Sequence, residues 1–527
     1  MATVFSEPTS ALPNPRKGAG GRVSCRVNGN DIEVQLTESG WTLLDVLRDK
    51  LGITSPKDGC QPQAQCGCCT VLMDGKPVLS CALKAEKAEG KTITTLEGLD
   101  DEHRQQIAES FVRCGGVQCG FCIPGMAMRG VGLCGDGKEV SRDEIANALK
   151  PHLCRCTGYT QIVDSIEQYA KLRRGETLPE MTAADKSGKV GTSLPRYTGH
   201  DAVLGDRKFI DDMTVPGMLY GAVRLTDHPR ATVLEIDATA ALAMPGVHRV
   251  VTAADVPGDR YVGLIEKDWP VFVAIGEETR CTGDVIAGVV AETQRLAREA
   301  AERIIVKYDV KVPVTDPREA LKPDAPLVHP KRGTNLLSQS SLKRGDVENA
   351  FAESAHILED TYRTQPIEHL FLEPESCIAV PIDDGDADKW WVVIPVNKNQ
   401  ASSNGQANGA ADGNGHASEP SPGASLKGRG IGERRLHIYT QGQGVFDDQR
   451  QCASVLGVGI DRLDVELISN GGAFGGKEDM SIQAQTALMA WLVGRPVKMT
   501  LTRPESFRIH PKRHPIDLSY KIGCDAE

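Results

Sequence analysis

Long apolar runs are missing from this chain of 527 residues: none approaches the roughly 18 consecutive apolar residues a membrane-spanning helix needs. The first twenty residues hold Pro, Ser, Gly and two basic residues but no apolar stretch of the kind a secretory signal requires. The expected compartment is therefore the cytoplasm, where thiols stay reduced. No basic stripe is present either; with a formal net charge of −11 and scattered Lys and Arg, nucleic acid is not expected as a partner. What remains is the balance of an ordinary globular protein, 25% charged and 40% hydrophobic. At about 100–200 residues per domain, the length suggests three or four domains.

Cysteine, by contrast, is plentiful. Of 16 cysteines, 12 fall within the first 160 residues. At short spacing in a reducing compartment, clustered cysteines are ligands more often than disulfides. The other four, Cys281, Cys377, Cys452 and Cys524, are isolated and are expected to be small buried hydrophobes.

Patterning along the chain suggests the following organisation. Residues 1–21 read as a disordered tail. Over 22–97, two strands around the turn Asn28-Gly29-Asn30-Asp31, a helix Leu43–Leu51 capped by Thr42, a cysteine loop at 60–69 and strands Thr70–Met73 and Val78–Cys81 outline a small α+β domain. Over 98–174, helices are expected at His103–Arg113, Pro124–Leu133, Arg142–Leu149 and Tyr159–Leu172. Residues 175–190 read as a polar linker, and from 191 strands and helices alternate. The stretch 397–432, rich in Asn, Gly, Ala and Ser, cannot bury a core and is expected to be a mobile surface insertion. The last strand, at Tyr520, ends in turn residues with nothing evident to pair with, which suggests truncation.

The first cysteine group is Cys60-x5-Cys66-Gly67-Cys68-Cys69, followed by Cys81. A [2Fe–2S] cluster needs four thiolates converging on a small inorganic core; a tight loop supplies three and a later strand the fourth. The spacing departs from the plant-type C-x4-C-x2-C by one residue in the first gap. Cys60, Cys66, Cys69 and Cys81 are the expected ligands, with Cys68 a bystander because Cys66-x2-Cys69 keeps the standard interval. The second group is Gln118-Cys119-Gly120-Phe121-Cys122-Ile123-Pro124-Gly125, then Cys154-Arg155-Cys156-Thr157-Gly158-Tyr159. Its two pairs lie at turns between helices, where N-terminal dipoles favour an anionic cluster. Cys119, Cys122, Cys154 and Cys156 are the expected ligands of a second [2Fe–2S] cluster. Structural zinc is the competing reading for both groups.

This order of motifs closely resembles the xanthine dehydrogenase/aldehyde oxidoreductase family of molybdenum hydroxylases, and the resemblance runs from about residue 22 to the C-terminus. It implies an α+β multidomain chain: a β-grasp ferredoxin domain at 22–97 and a helical [2Fe–2S] domain at 98–174. A small a/b hammerhead domain at 191–330 and the N-terminal part of a molybdopterin-binding domain at 331–527 follow. Gln118 would lie between the buried cluster and the pterin, and Cys156 would hold the iron nearest the molybdenum cofactor. In the hammerhead segment the resemblance rests on Pro195-Arg196-Tyr197, Asp211-Asp212, Pro216 to Tyr220 and Pro245 to His248.

His369-Leu370-Phe371-Leu372-Glu373-Pro374-Glu375 looks like the segment that opens the family's cofactor domain; a surface turn with acidic residues is the alternative. Thr440-Gln441-Gly442-Gln443 resembles the loop whose Gln contacts the molybdenum oxo group, which singles out Gln441. Gly471-Gly472-Ala473-Phe474-Gly475-Gly476-Lys477-Glu478 is the most specific motif of this half; such a run lets backbone N–H groups approach an anionic ligand. It does not complete the GxxxxGK[ST] pattern of a nucleotide-binding loop. By resemblance Phe474 and Gly475 line the molybdenum site, and Glu478 matches a residue with which purine-oxidising members hold substrate. Lys477-Glu478-Asp479 read alone is a solvated charge run.

No flavin-binding segment fits between the helical domain and the molybdenum half, so electrons are expected to leave to a separate FAD subunit or another acceptor. The family's general base, a glutamate, is expected beyond Glu527, so no residue here is assigned that role, and a second chain could carry the remaining part. The implied activity is hydroxylation of a purine such as xanthine with water as oxygen source. An aldehyde or another N-heterocycle, or a bare electron-transfer module, are the alternatives.

Overall fold

The computed structural model describes residues 21–36, 40–61, 63–135, 137–177, 187, 189–192, 194–382 and 434–526. The expected tail (except Gly21), most of the linker and the insertion at 397–432 lie outside the described residues. The chain divides into two compact units, one up to Arg207 and one from Lys208.

The first unit opens with a five-stranded sheet in the order Asn30–Gln35, Arg22–Val27, Thr92–Thr94, Thr70–Met73, Lys76–Leu79. Two-residue turns at Asn28-Gly29 and Asp74-Gly75, all four residues at positive φ, set the two hairpins. Thr42 caps the following helix in a capping box with Asp45; three α-helical residues, Leu43–Asp45, pass into a π-helical turn, Val46–Lys50. The strand expected over Val78–Cys81 stops at Leu79. Cys81 sits instead in a 3-10 turn, Ser80–Ala82, which Ser80 ties to the cysteine loop by two hydrogen bonds to the Cys69 carbonyl (3.3 Å from N, 2.7 Å from Oγ).

Four helices follow, at Asp101–Arg113, Ile123–Cys134, Arg142–Ala148 and Thr160–Arg173. The first begins two residues ahead of the expected start because Asp100 caps it, accepting from His103 N at 2.8 Å. Glycines let the helical part close on the sheet. A Cβ on Gly125 would lie 2.3 Å from the Gly67 carbonyl, and one on Gly132 would lie 2.5 Å from Pro77.

The second unit is built on a seven-stranded sheet in the order Leu463–Leu467, Arg435–Thr440, Ser376–Ile382, Val497–Thr500, Leu219–Leu225, Val285–Ala291, Val247–Val251. Helix Gln483–Val493 is buried nearly all round and forms one core with helix Val445–Leu456 and the sheet. Helix Gln294–Glu302 lays Ala297, Ala300 and Ala301 into a second core with Ala287, Val289 and Ala291.

The strand at Tyr520 does have a partner, contrary to the expectation above: Asp517–Cys524 pairs antiparallel with His356–Arg363 along its whole length. Opposed pairs Leu358/Ile522, Asp360/Tyr520 and Tyr362/Leu518 share one face of this ribbon, where Leu358 is 78% and Ile522 62% exposed. Cys377 and Cys452 are buried as expected of isolated cysteines, but Cys281 and Cys524 are exposed, Cys524 because it ends this uncovered ribbon. Among the described residues no helix is long and apolar enough to cross a membrane.

Candidate functional site

The first cysteine loop is folded tightly enough to force Gln61 (φ 43°), Ala64 (φ 56°) and Gly67 (φ 71°) to positive φ. Cys60, Cys66, Cys69 and Cys81 are all buried and unpaired by disulfides. The Cys60 thiol lies in hydrogen-bonding contact with those of Cys66 and Cys81, which hold it far below the ordinary thiol range; Cys81 lowers Cys69 in the same way. Gln63 N donates to Cys60 Sγ at 3.3 Å. Four converging sulfurs with a backbone N–H aimed at one of them form a donor set that fits a [2Fe–2S] cluster. Cys68 is buried too, its Sγ 3.8 Å from the Cys66 carbonyl oxygen.

In the second group Cys122 caps helix Ile123–Cys134, with Pro124 in its first turn. Its thiol meets that of Cys154, Cys154 meets Cys156, and Cys156 meets Cys119, so these four also converge. Tyr159 holds the loop shut: at φ 72° its hydroxyl accepts from Cys154 N at 2.9 Å and donates to the His152 carbonyl at 3.3 Å. Gln118, expected near the pterin, is exposed.

One residue that sequence reading did not single out joins the two groups. His152 is buried, its ring 3.0 Å from Thr70 Oγ1, and a Cβ on Gly67 would lie 2.4 Å from its ring. The next residue, Leu153, donates its N–H to the Cys66 carbonyl at 2.9 Å, so a main-chain hydrogen bond also links the two cysteine loops. The only sequence signal was a histidine two residues before a cysteine pair.

In the second unit the candidate cofactor residues gather between strand ends. Glu373 and Glu375 are buried, so the surface-turn alternative does not hold. Nor is Lys477 part of a solvated run. It is buried, 3.3 Å from Glu373 Oε2, which also accepts from Gly471 N at 2.6 Å. Burial pushes the Glu373 carboxyl up to about 7 despite both partners, and burial likewise lowers Lys477.

Lys477 Nζ also donates to Gln441 Oε1, and since an ammonium only donates, this fixes which end of the Gln441 amide is oxygen. Gln441 Nε2 donates to the Pro374 carbonyl at 2.7 Å; a second acceptor, the Ser376 carbonyl, is 3.4 Å away. Gln441 is therefore buried beneath the glycine run, with one amide proton loosely held.

The glycine run itself was expected to offer its N–H groups to an anion. The structure spends many of them internally: Gly471 on Glu373, Gly475 and Lys477 on Gln443 Oε1, Gly476 on the Ala473 carbonyl. The exposed residues of the run are Phe474, left-handed at φ 57° and 45% exposed, and Glu478. Such strain in a bulky residue is characteristic of functional loops.

A further buried cluster adjoins them. His510 is held between Glu368 (2.6 Å) and Glu375 (3.3 Å). Burial opposes its charge, but the two carboxylates prevail and raise its pKa.

Comparison with known proteins places these motifs. Residues 95–167 match the profile of a [2Fe-2S] binding domain, and 204–312 that of the aldehyde oxidase and xanthine dehydrogenase a/b hammerhead domain. Residues 328–398 and 431–527 match a molybdopterin cofactor-binding domain. The chain is 30% identical over 516 residues to an aldehyde oxidoreductase of Megalodesulfovibrio gigas, covering 94% of this chain and 51% of that protein. It is 38% identical over 141 residues to the nicotinate dehydrogenase small FeS subunit of Eubacterium barkeri, covering 27% of this chain and 88% of that subunit. The solved structure of the Desulfovibrio gigas aldehyde oxidoreductase superposes with a TM-score of 0.79 at 28% identity, over 96% of this chain and 52% of that one. The chain thus spans about half the length of that relative.

Proposed function

The chain belongs to the xanthine dehydrogenase/aldehyde oxidoreductase family, and from that premise we propose that it forms the iron–sulfur half and the first part of the molybdenum half of an enzyme that hydroxylates a purine. Bound molybdopterin would supply the two-electron oxidation of a C–H carbon, with water as the oxygen source. Cys60, Cys66, Cys69 and Cys81 would hold one [2Fe–2S] cluster, and Cys119, Cys122, Cys154 and Cys156 the other. Gln118, Phe474, Gly475 and Gln441, through its loosely held amide proton, would hold the pterin cofactor.

The purine assignment rests on Glu478. Its side chain is exposed, as is that of Phe474 four residues earlier in the same run, and a carboxylate so placed can accept from a substrate ring N–H. Residues 168–203, between the matched domains, are too few for a flavin-binding domain. Electrons would therefore pass to a separate FAD subunit or another acceptor. Cysteine usage supports a cytoplasmic location.

The 30% identity to an aldehyde oxidoreductase favours a second reading, in which an aldehyde is the substrate. Glu478→Ala in the molybdenum-loaded enzyme separates the two. A purine enzyme loses xanthine turnover while any aldehyde turnover survives; unchanged xanthine turnover removes the support for a purine. Elemental analysis and EPR of reduced, anaerobically purified protein test the rest: about four iron and two distinct [2Fe–2S] signals are expected. Zinc in their place would sink the iron–sulfur assignment.

A further inference from the structure

The glycine run Gly471–Glu478 is braced unevenly. On one side a Cβ at Gly476 would lie 2.8 Å from the Phe371 ring and 3.0 Å from that of His369, so this flank rests against packed side chains. At Gly475, where φ is 92°, a Cβ would meet nothing closer than 3.6 Å. Gln443 makes the hydrogen bonds that cross to this looser flank. Its Oε1 accepts from Gly475 N at 3.1 Å and from Lys477 N at 3.4 Å, and its own N–H donates to the Lys477 carbonyl at 2.8 Å. A side-chain oxygen thus occupies the place that an anion takes in a nest of successive N–H groups.

Gln443 is itself firmly rooted. Gly444 precedes helix Val445–Leu456, whose Cys452, Val455 and Leu456 lie in the core of the large sheet. A residue at the start of a fixed helix therefore reaches across to a loop that carries a strained aromatic residue between two positive-φ glycines. Loops that present functional groups keep their geometry only when a second layer of contacts holds them.

We propose that Gln443 is a positioning residue, a side-chain clamp that holds Phe474–Lys477 in the conformation in which Phe474 and Glu478 face substrate. The clamp follows from the hydrogen bonds alone; its consequence for turnover rests on the reading that this loop faces the cofactor and substrate.

Two variants test it. Gln443→Ala removes the acceptor, whereas Gln443→Glu keeps an oxygen at the same reach and should rescue. Amide hydrogen exchange of peptides covering 471–478 in the intact chain should rise about fivefold or more in Gln443→Ala, the factor for losing one net hydrogen bond. It should stay within about twofold of wild type in Gln443→Glu. Peptides from helix Val445–Leu456 should exchange at the wild-type rate in both, which separates loss of the clamp from general unfolding. In the molybdenum-loaded enzyme, Gln443→Ala should lower kcat about tenfold with little change in KM, and Gln443→Glu should recover most of it. Unchanged exchange over 471–478 in Gln443→Ala would overturn the clamp. Faster exchange with unaltered kcat would overturn its role in positioning. Absence of any turnover by the wild-type enzyme would count against the proposed function alone, and exchange would still decide the clamp.

Discussion

Replacing Lys477 by Met should expose how the molybdenum half tolerates a buried charge. Lys477 and Glu373 are each 1% exposed at their side chains, 3.3 Å apart. Removing one partner of such a pair leaves an uncompensated charge in the interior and costs roughly 3–5 kcal/mol. At about 2 °C per kcal/mol for a large domain, calorimetry should show the transition of the second unit lowered by roughly 6–10 °C.

The loss should depend on pH, and the sign can be worked out. Glu373 titrates in the fold at about 7, above the usual 4.5, because burial penalises its carboxylate. A raised carboxyl contributes stability that is full below about pH 4.5 and is lost as pH rises through about 7. Removing the ammonium raises that carboxyl further, so the deficit of Lys477→Met should be larger at pH 8 than at pH 5.5. Adding Glu373→Gln keeps an acceptor for Gly471 N–H while removing the charge, and the double variant should recover more than half of the loss. A fall of less than about 1 °C, or an equal fall at both pH values, would refute the reasoning.

Four further outcomes follow from the same geometry. Cys122→Ser and Cys60→Ser should each remove one of two EPR signals and about half the iron, leaving the other signal intact. Gly67→Ala sets a Cβ 2.4 Å from the His152 ring at φ 71° and should destabilise the iron–sulfur unit by about 2 kcal/mol or more, read by thermal unfolding. His510 has its pKa raised by Glu368 and Glu375, so its contribution is full below its unfolded pKa, near 6.5, and fades as pH rises through the higher folded value; His510→Gln should flatten the dependence of the melting temperature on pH above 6.5. Leu358→Lys with Ile522→Lys should shift the chain from aggregate to monodisperse species in size-exclusion chromatography, since both lie on the uncovered apolar face of the ribbon.

The iron–sulfur half was largely legible in the sequence because its information is local. The cap at Thr42, the Asn28-Gly29 turn and the short cysteine intervals all act within a few residues, and the cap and the turn are found as expected. Cys81 was misplaced onto a strand because a 3-10 turn and a strand end share the same short apolar pattern. The molybdenum half was less legible because its decisive contacts are distant. Lys477 looks solvated until Glu373, 104 residues earlier, is brought beside it. The strand at Tyr520 looks unpaired until His356–Arg363 lies against it, and no local pattern announces a partner that far back. Gln443 stood in plain view within Thr440–Gln443, but its part in the loop emerges only when Gly475 and Lys477 are placed against it.

The strand pair Ser376–Ile382 and Arg435–Thr440 has a practical corollary. Ile382, at the end of one strand, stands directly opposite Arg435, at the start of the other. The entropy of closing a loop grows only with the logarithm of its length, about 0.6 kcal/mol per doubling. A folded guest domain whose own termini lie close together can therefore be spliced between these two positions at little energetic penalty. The sheet thereby offers a ready-made port for a fluorescent or affinity module, and any reporter grafted there rides on the strand that runs straight into Gln441.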